Sequence, residues 1–181
     1  MIYWKYDEAI NKETCNKIIK INKNKWADSA IGIGETKKYR DSVVSFTTDQ
    51  WLYDIVFSFM KDANKKTGWN FKIQSAQEMQ ITKYVKDGFY NYHMDGDGFS
   101  KIDAPNNKFV NGLTRKLSMT IVLNDDYEGG EFQFFADEEN LIKEKRGTII
   151  VFPSYMMHRV KPIKSGTRYA LVVWFLGKPF R

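Results

Sequence analysis

Cysteine and long apolar runs are what this sequence most clearly lacks. Cys15 is the only cysteine among 181 residues, so an internal disulfide is excluded and a reducing compartment is indicated. The longest apolar stretch, "YALVVWFLG" (169–177), has the length of a core strand and not of a membrane span. The opening "MIYWKYDEAINKE" has no basic region followed by an apolar core. We therefore expect a cytoplasmic protein, or one in the host cytoplasm if the source is viral, with no membrane partner.

Histidine is nearly as scarce as cysteine, whereas lysine is abundant. The chain has two histidines, and its 28 Lys and Arg exceed its 22 Asp and Glu to give a formal net charge of +6. Much of the excess is lysine within residues 12–25 and 61–66. We interpret it as a solvated surface. The alternative is attraction to an anionic partner such as nucleic acid, although the arginines do not cluster.

Size and composition predict one folded domain over residues 1–181. The chain is 43% hydrophobic and 15% aromatic, which is typical of a globular protein with a substantial core. Apolar residues at helical spacing predict a helix over 8–21, and a second that begins after Thr47 or Thr48 as N-cap and ends near Gly68. Strands are predicted over 41–46, 76–86, 89–95, 115–123, 130–135, 147–152, 156–161 and 167–176.

Many short strands with regular turn residues indicate a sandwich or barrel. We expect a mainly β protein with flanking helices, in which about residues 1–70 give helical support and about 71–181 form the β core. The polar segment 96–114 has no periodicity and is long for a loop. Such loops act as lids or binding loops, and the alternative is a disordered excursion.

The segment "FYNYHMDGDG" (89–98) contains one of the two histidines, two positions before an aspartate. Side chains alternate along a strand, so His93 and Asp95 would project from one face, and Tyr90 from the opposite face. An imidazole and a carboxylate one strand step apart suit adjacent positions on one metal ion. The other histidine, His158, follows several strands later. Two histidines and one carboxylate make the facial triad of non-haem Fe(II) oxygenases.

Arg168 lies ten residues after His158 on the next predicted strand. It shares one face of that strand with Ala170, Val172 and Trp174, and a buried guanidinium needs an anionic partner. An internal Asp or Glu is the usual partner. Because the candidate triad lies nearby, we instead expect the carboxylate of a bound ligand to pair with Arg168.

Three segments together resemble the 2-oxoglutarate- and Fe(II)-dependent dioxygenases, particularly their prolyl 4-hydroxylase branch. The resemblance extends over about residues 79–176. It implies a double-stranded β-helix, or jelly-roll, of the cupin type. The segments are "ITKYVKDGFYNYHMD", "RKLSMTIVLNDDYEGGEFQF" and "GTIIVFPSYMMHRVKPIKSGTRYALVVWF".

The resemblance also implies roles for individual residues. The metal, Fe(II), would be held by His93, Asp95 and His158. Arg168 would bind the distal carboxylate of 2-oxoglutarate, with the hydroxyl of Tyr84 contributing and Trp174 lining the same pocket. Tyr90 lies where related enzymes place a substrate-side tyrosine. Gly88 departs from the common pattern, one position nearer the histidine, so the hairpin there is expected to differ.

The implied activity is hydroxylation of a prolyl residue in a peptide or protein. 2-Oxoglutarate and O2 would be co-substrates, succinate and CO2 co-products, and ascorbate an optional reductant. One alternative is an oxygenase of the same fold that acts on a nucleic acid base or a free amino acid. The other is a non-catalytic jelly-roll binding module, against which the complete triad argues.

Overall fold

The structure is a computed structural model that describes residues 1–21, 25–29, 36–137, 142 and 144–181. Every strand pair within it is antiparallel. The helices are α1 (Lys12–Lys20), α2 (Thr36–Tyr39) and α3 (Gln50–Lys66). The strands are β1 (Trp4–Tyr6), β2 (Ala27–Asp28), β3 (Arg40–Asp41), β4 (Val43–Thr47), β5 (Ser75–Ala76), β6 (Met79–Tyr84), β7 (Phe89–His93), β8 (Thr114–Val122), β9 (Tyr127–Gly129), β10 (Phe132–Phe134), β11 (Ile149–Pro153), β12 (His158–Val160), β13 (Ile163–Gly166) and β14 (Arg168–Gly177).

Both long helices occur where the apolar spacing predicts them, but they begin later. The N-cap of α1 is Asn11, whose side chain accepts a hydrogen bond from the backbone N–H of Thr14 at 2.8 Å. The prediction of Thr47 or Thr48 as the N-cap of α3 is wrong, because Asp49 holds that position. Thr47 is instead the last residue of β4, and its hydroxyl donates to the Asp49 carboxylate at 2.6 Å.

The strands form two main sheets. The larger has the order β1-β11-β8-β14-β6-β4-β2, with β5 added against β14, and the smaller has the order β10-β12-β7-β3. The strands β9 and β13 form a separate pair. Strands from the first 70 residues therefore belong to both sheets, so this part of the chain supplies more than the helical support that we expected.

The helices cover one face of the larger sheet. Alternate residues of β6, β8 and β14 pack there against α1 and α3, which bury Cys15, Ile18, Leu52, Val56, Met60 and Ala63. Full burial of such a side chain contributes about 1.5–3 kcal/mol, so this layer is a major source of stability. The opposite faces of the same strands are left free to line an interior.

That interior lies between the two sheets. A second apolar cluster joins β10 and β12 of the smaller sheet to β6 and β11 of the larger one, and it includes Phe132, Phe134, Ile150, Phe152 and Val160. Two facing antiparallel sheets with helices on the outer side confirm the predicted double-stranded β-helix.

The segment 96–114 contains no strand before Thr114, as predicted. Backbone hydrogen bonds connect its two halves. The N–H of Ile102 donates to Leu113 O at 2.8 Å, and the N–H of Gly112 donates to Ile102 O at 2.9 Å. Phe99 and Phe109 in this segment are 62% and 66% exposed.

Among the residues that the structure describes, no helix is long and apolar enough to cross a membrane.

Candidate metal centre and adjoining cavity

The two histidines lie side by side on neighbouring strands. His93 is the last residue of β7 and His158 the first of β12, and the two are directly paired in the sheet. Their ring centroids are 4.3 Å apart. Together with Asp95 they form a group whose candidate ligand atoms all lie within 4.8 Å of one another. The structure thus brings together the three residues that the sequence predicts as metal ligands.

Asp95 reaches this group by a different route from the one predicted. Strand β7 ends at His93, so strand alternation does not place the aspartate. The chain turns instead, and the N–H groups of Asp95 and Gly96 both donate to Ser154 O, at 3.0 and 3.1 Å. The Ser118 hydroxyl donates to the Asp95 carboxylate. The loop before β12 and the strand β8 therefore hold the carboxylate in position.

Hydrogen bonds orient both imidazole rings towards Asp95. Nδ1 of His93 lies 2.8 Å from Asn91 O, and Nδ1 of His158 lies 2.8 Å from Met156 O. A proton on each Nδ1 satisfies these carbonyls and leaves each Nε2 lone pair free. The Nε2 atoms lie 3.6 and 3.8 Å from the two Asp95 oxygens.

The charge state of the group also suits a cation. Burial lowers the pKa of His158 to about 4, so its ring is neutral near pH 7. Burial opposes ionisation of Asp95, but His158 and His93 hold the pKa of this carboxyl below its ordinary range. Two imidazoles and a carboxylate are a donor set that fits Fe(II), with the remaining positions left for other ligands.

A small, largely apolar cavity adjoins the candidate ligands. Its volume is about 40 Å³, which is room for about three water molecules. Arg168, Ala170, Val172 and Trp174 line it from one face of β14, as the strand pattern predicts. Gln80, Thr82 and Tyr84 of β6, with Phe132 and Phe152, complete much of the wall.

The partner of Arg168 is not the one that we expected. Arg168 and the Glu144 side chain are each 1% exposed, and Nη2 of Arg168 donates to Oε2 of Glu144 at 3.0 Å. Glu144 is therefore the internal partner that we had weighed as the alternative to a ligand carboxylate. The reason is the chain path, since the segment before β11 carries Glu144 to the guanidinium, whose burial without an anion would be costly.

Glu144 contacts Arg168 from outside the small cavity. Arg168 lines that cavity and Glu144 does not, whereas Glu144 lines a separate one together with Tyr127 and Lys164. Burial works against the charge of Arg168, but Tyr127 and Glu144 raise its pKa, so it stays protonated. Among the described residues, Nε of Arg168 has no hydrogen-bond partner.

Tyr84 and Trp174 both line the cavity that Arg168 lines, as expected. Tyr84 is the direct strand partner of Arg168 and is 3% exposed, and the guanidinium carbon lies 5.8 Å from its ring centre. Trp174 lies further along β14 and stacks against Arg115, with 3.9 Å between the guanidinium carbon and the ring centre. In the described part of the chain, the indole N–H of Trp174 has no acceptor.

Tyr90 lies on the same side as His93, against the strand alternation. Their rings stack with centroids 3.4 Å apart and an interplanar angle of 13°. The register explains this. His93 pairs with His158 and Tyr90 with Val160, so three residue steps on β7 match two on β12. A β-bulge of this kind turns Tyr90 into the cavity, which it lines.

Two arginines at this site were not anticipated from the sequence. Arg40 is 6% exposed, and its guanidinium carbon lies 4.6 Å from the centre of the Tyr90 ring. Its Nη2 has no hydrogen-bond partner among the described residues. Arg115 donates from Nε to Gln77 Oε1 at 2.6 Å and from Nη1 to Asp95 O at 2.9 Å.

A wider cavity of about 450 Å³ opens beside the small one. The two share Arg40, Gln80, Tyr90, Asp95 and Trp174, and the wider one is also lined by Arg115. The arginine–aromatic stacks Arg40–Tyr90 and Arg115–Trp174 therefore stand at the junction. This arrangement offers a second ligand a route to the metal position.

Comparison with protein families gives a match over the part of the chain that contains the candidate metal ligands and Arg168. The model of the 2OG-Fe(II) oxygenase superfamily matches residues 79–176. A PKHD-type hydroxylase of Synechococcus sp. (strain CC9311) is 26% identical over 179 residues, which cover 92% of this chain and 74% of that protein. A PKHD-type hydroxylase of Xylella fastidiosa (strain M12) is 36% identical over 99 residues, which cover 52% of this chain and only 42% of that protein.

Solved structures share the fold at low sequence identity. The viral collagen prolyl hydroxylase of Paramecium bursaria Chlorella virus-1, solved as a 2OG complex, has a TM-score of 0.73 and 20% identity, covering 98% of this chain and 97% of that one. The prolyl hydroxylase of Trichoplax adhaerens, solved with a peptide fragment of the hypoxia inducible factor oxygen degradation domain, has a TM-score of 0.74 and 14% identity. It covers 96% of this chain and 82% of that one.

Proposed function

The chain belongs to the 2OG-Fe(II) oxygenase superfamily, and we propose that it hydroxylates a prolyl residue in a peptide or protein. The co-substrates are 2-oxoglutarate and O2, and the co-products are succinate and CO2. One observation carries the proposal: the His93–Asp95–His158 group and Arg168 line the same buried cavity. This shared lining supports a cation site and an anion site that one small diacid could bridge.

Three residues of this chain would hold the metal. His93 and His158 present Nε2 atoms, and Asp95 presents its carboxylate between them. Fe(II), when bound there, supplies the redox chemistry that couples decarboxylation of the 2-oxo acid to hydroxylation. The protein keeps His158 neutral by burial and holds Asp95 with Ser118 and the Ser154 carbonyl. The ligand atoms are therefore fixed before a cation arrives.

Arg168 is the group that would bind the distal carboxylate of 2-oxoglutarate. Its Nε is a buried donor with no acceptor among the described residues, and Tyr84 lies directly opposite on β6. Glu144 contacts the guanidinium from outside the cavity and so leaves the cavity side available.

The wider cavity is where we place the peptide substrate. Tyr90 and Trp174 offer flat apolar surfaces suited to a proline ring, and they border the metal position. Arg40 and Arg115 add donors for backbone carbonyls, and the Nη2 of Arg40 has no acceptor among the described residues. Prolyl hydroxylase names among the similar structures support a proline-containing substrate over a nucleic acid base or a free amino acid.

Two further expectations are part of the proposal. We treat residues 1–181 as a single oxygenase domain, since both sheets draw strands from early and late parts of the chain. We also place the protein in the cytoplasm, because Cys15 is a free, buried thiol and a reducing compartment keeps iron ferrous.

Anaerobic addition of Fe(II) and 2-oxoglutarate tests the site without requiring turnover. A visible charge-transfer band is expected when both bind at one centre. The band should disappear in His158→Ala and persist in Asp54→Asn, a variant of an exposed carboxylate on α3. Absence of the band from the wild type would contradict the proposed site.

Succinate release then separates the substrate classes. We expect release to rise with a proline-containing peptide and to stay at the uncoupled level with single-stranded nucleic acid. The opposite pattern would retain the oxygenase and overturn the prolyl assignment.

A further inference from the structure

A second large cavity lies between the segment after α3 and the last residues of the chain. Its volume is about 660 Å³, and none of its lining residues lines the cavity at the candidate metal centre. Within the described part of the chain, its lining includes four basic side chains and no acidic one. The basic residues are Lys72, Lys116, Lys178 and Arg181.

Lys116 is the buried member of this set. It is 5% exposed and projects from β8, with its Nζ 3.1 Å from the centre of the Phe180 ring and 5.9 Å from that of Phe71. Among residues 1–21, 25–29, 36–137, 142 and 144–181, its ammonium has no hydrogen bond or ion pair. Burial lowers the pKa of Lys116. The aliphatic stem is therefore buried while the ammonium lines the cavity, where a ligand anion could pair with it.

The aromatic side of the cavity is built from fixed groups. The rings of Phe71 and Phe180 meet edge to face with centroids 5.4 Å apart. The N–H of Phe180 donates to Gly98 O at 2.9 Å. Gly98 has φ +83°, and a Cβ there would collide with the Phe180 ring, so only glycine lets the two segments approach this closely. The ring under Lys116 is therefore anchored to segment 96–114.

We propose that this cavity binds a phosphate-bearing anion, with Lys116 as the central contact and Lys72 and Lys178 flanking it. Lysine is a compact point charge that suits phosphate, whereas arginine offers the planar fork that matches a carboxylate. Several lysines around one space also match a group with more than one negative charge. The phosphate comes from a nucleic acid backbone or from a free phosphate compound, and the same lysines serve both. The proposal is independent of the oxygenase reaction.

Equilibrium binding of two probes to the full chain tests the phosphate-site proposal. No metal is added, so that phosphate cannot bind through an ion at the candidate metal centre. The probes are inorganic pyrophosphate, followed by calorimetry, and a fluorescent single-stranded oligothymidylate, followed by anisotropy at several salt concentrations. We compare the wild type with Lys116→Met and with the double variant Lys72→Ala/Lys178→Ala. The matched control is Lys17→Met, because Lys17 also stacks on an aromatic ring, with its Nζ 4.1 Å from the Trp51 ring centre, but lies on α1.

Binding of at least one probe, weakened about tenfold or more in both cavity variants and unchanged in the control, supports the proposal. Selective binding of the oligothymidylate, with a salt dependence that falls in the double variant, identifies nucleic acid as the source. Comparable binding of pyrophosphate identifies a free phosphate compound. No binding of either probe, or equal losses in the cavity variants and the control, overturns the proposal. The double variant changes only exposed lysines, so it tests the site even if Lys116→Met folds poorly.

Discussion

Arg168 and Glu144 form an ion pair that is closed off from solvent on both sides. The guanidinium and the carboxylate are each 1% exposed, and the Nη2–Oε2 distance is 3.0 Å. Arg168 is also the residue that we propose for the distal carboxylate of 2-oxoglutarate. The chain thus supplies an internal anion to the same cation that an anionic co-substrate needs, and this links the stability of the protein to co-substrate binding.

Glu144→Gln should separate the two effects. The amide keeps the shape but leaves a buried guanidinium without its anion, so unfolding free energy without 2-oxoglutarate should fall by about 2 kcal/mol or more. The uncompensated charge should also attract 2-oxoglutarate more strongly. Thermal denaturation with and without the co-substrate measures both effects. Equal destabilisation in the two conditions would show that Glu144 has only a structural role.

Arg168→Ala should weaken 2-oxoglutarate binding by about tenfold or more, because a charge-assisted hydrogen bond contributes about 1.5–3 kcal/mol. Titration of the charge-transfer band with 2-oxoglutarate gives the affinity. The matched control is Arg159→Ala on β12, an arginine that donates to Gln133 Oε1 at 2.7 Å and lies outside the cavity lining. Unchanged affinity in Arg168→Ala would remove this residue from the co-substrate site.

Tyr90→Ala should lower Fe(II) affinity by about tenfold, because the ring that fixes the orientation of His93 is lost. Tyr90→Phe keeps the stacked ring and should retain wild-type affinity. Tyr92→Ala is the control on the same strand, since Tyr92 packs against Phe135, with centroids 5.3 Å apart. Fe(II) titration at saturating 2-oxoglutarate provides the measurement. Wild-type affinity in Tyr90→Ala would mean that the tyrosine has no part in positioning the ligand.

Gly130→Ala should displace the Arg168 side chain by crowding it. Gly130 has φ +66°, and an added Cβ would collide with Ile163 and lie 3.0 Å from Cδ of Arg168. We expect a stability loss of about 1–3 kcal/mol and weaker 2-oxoglutarate binding. Gly112→Ala has a similar φ, +73°, and no atom within 4 Å, so it reports backbone strain alone. Equal effects in the two variants would exclude crowding at Arg168.

The candidate ligands could be predicted from sequence because their chemistry is rare in this chain. With only two histidines available, His93 and His158 had to be the imidazole donors of any site that uses two histidines. The predicted reason for Asp95 was nevertheless wrong, since it lies beyond the end of β7 and a turn held by Ser154 places it. Residue types and order were sufficient to find the group, and local periodicity was not sufficient to explain its geometry.

The orientation of Tyr90 could not be predicted from the alternation of side chains along its strand. Alternation along β7 predicted that it faces away from His93, but one extra residue in the pairing with β12 reverses its side. A bulge depends on how two distant segments align, and neither segment carries that information alone. The N-cap of α3 failed for a similar reason, because Thr47 was already committed to β4.

By itself, the sequence determined the kinds of groups available and the elements that carry them. The two long helices, most of the strands and the cavity-facing set on β14 follow from apolar spacing, because burial of side chains depends on their period. Only the tertiary structure decided which charges meet. The pairing of Arg168 with Glu144, the stacking of Arg40 on Tyr90 and the isolation of Lys116 from any described carboxylate each join or separate residues far apart in the chain. The strength of an electrostatic interaction depends on the distance between the charges and on the exclusion of water. Neither can be read from the local sequence around a residue.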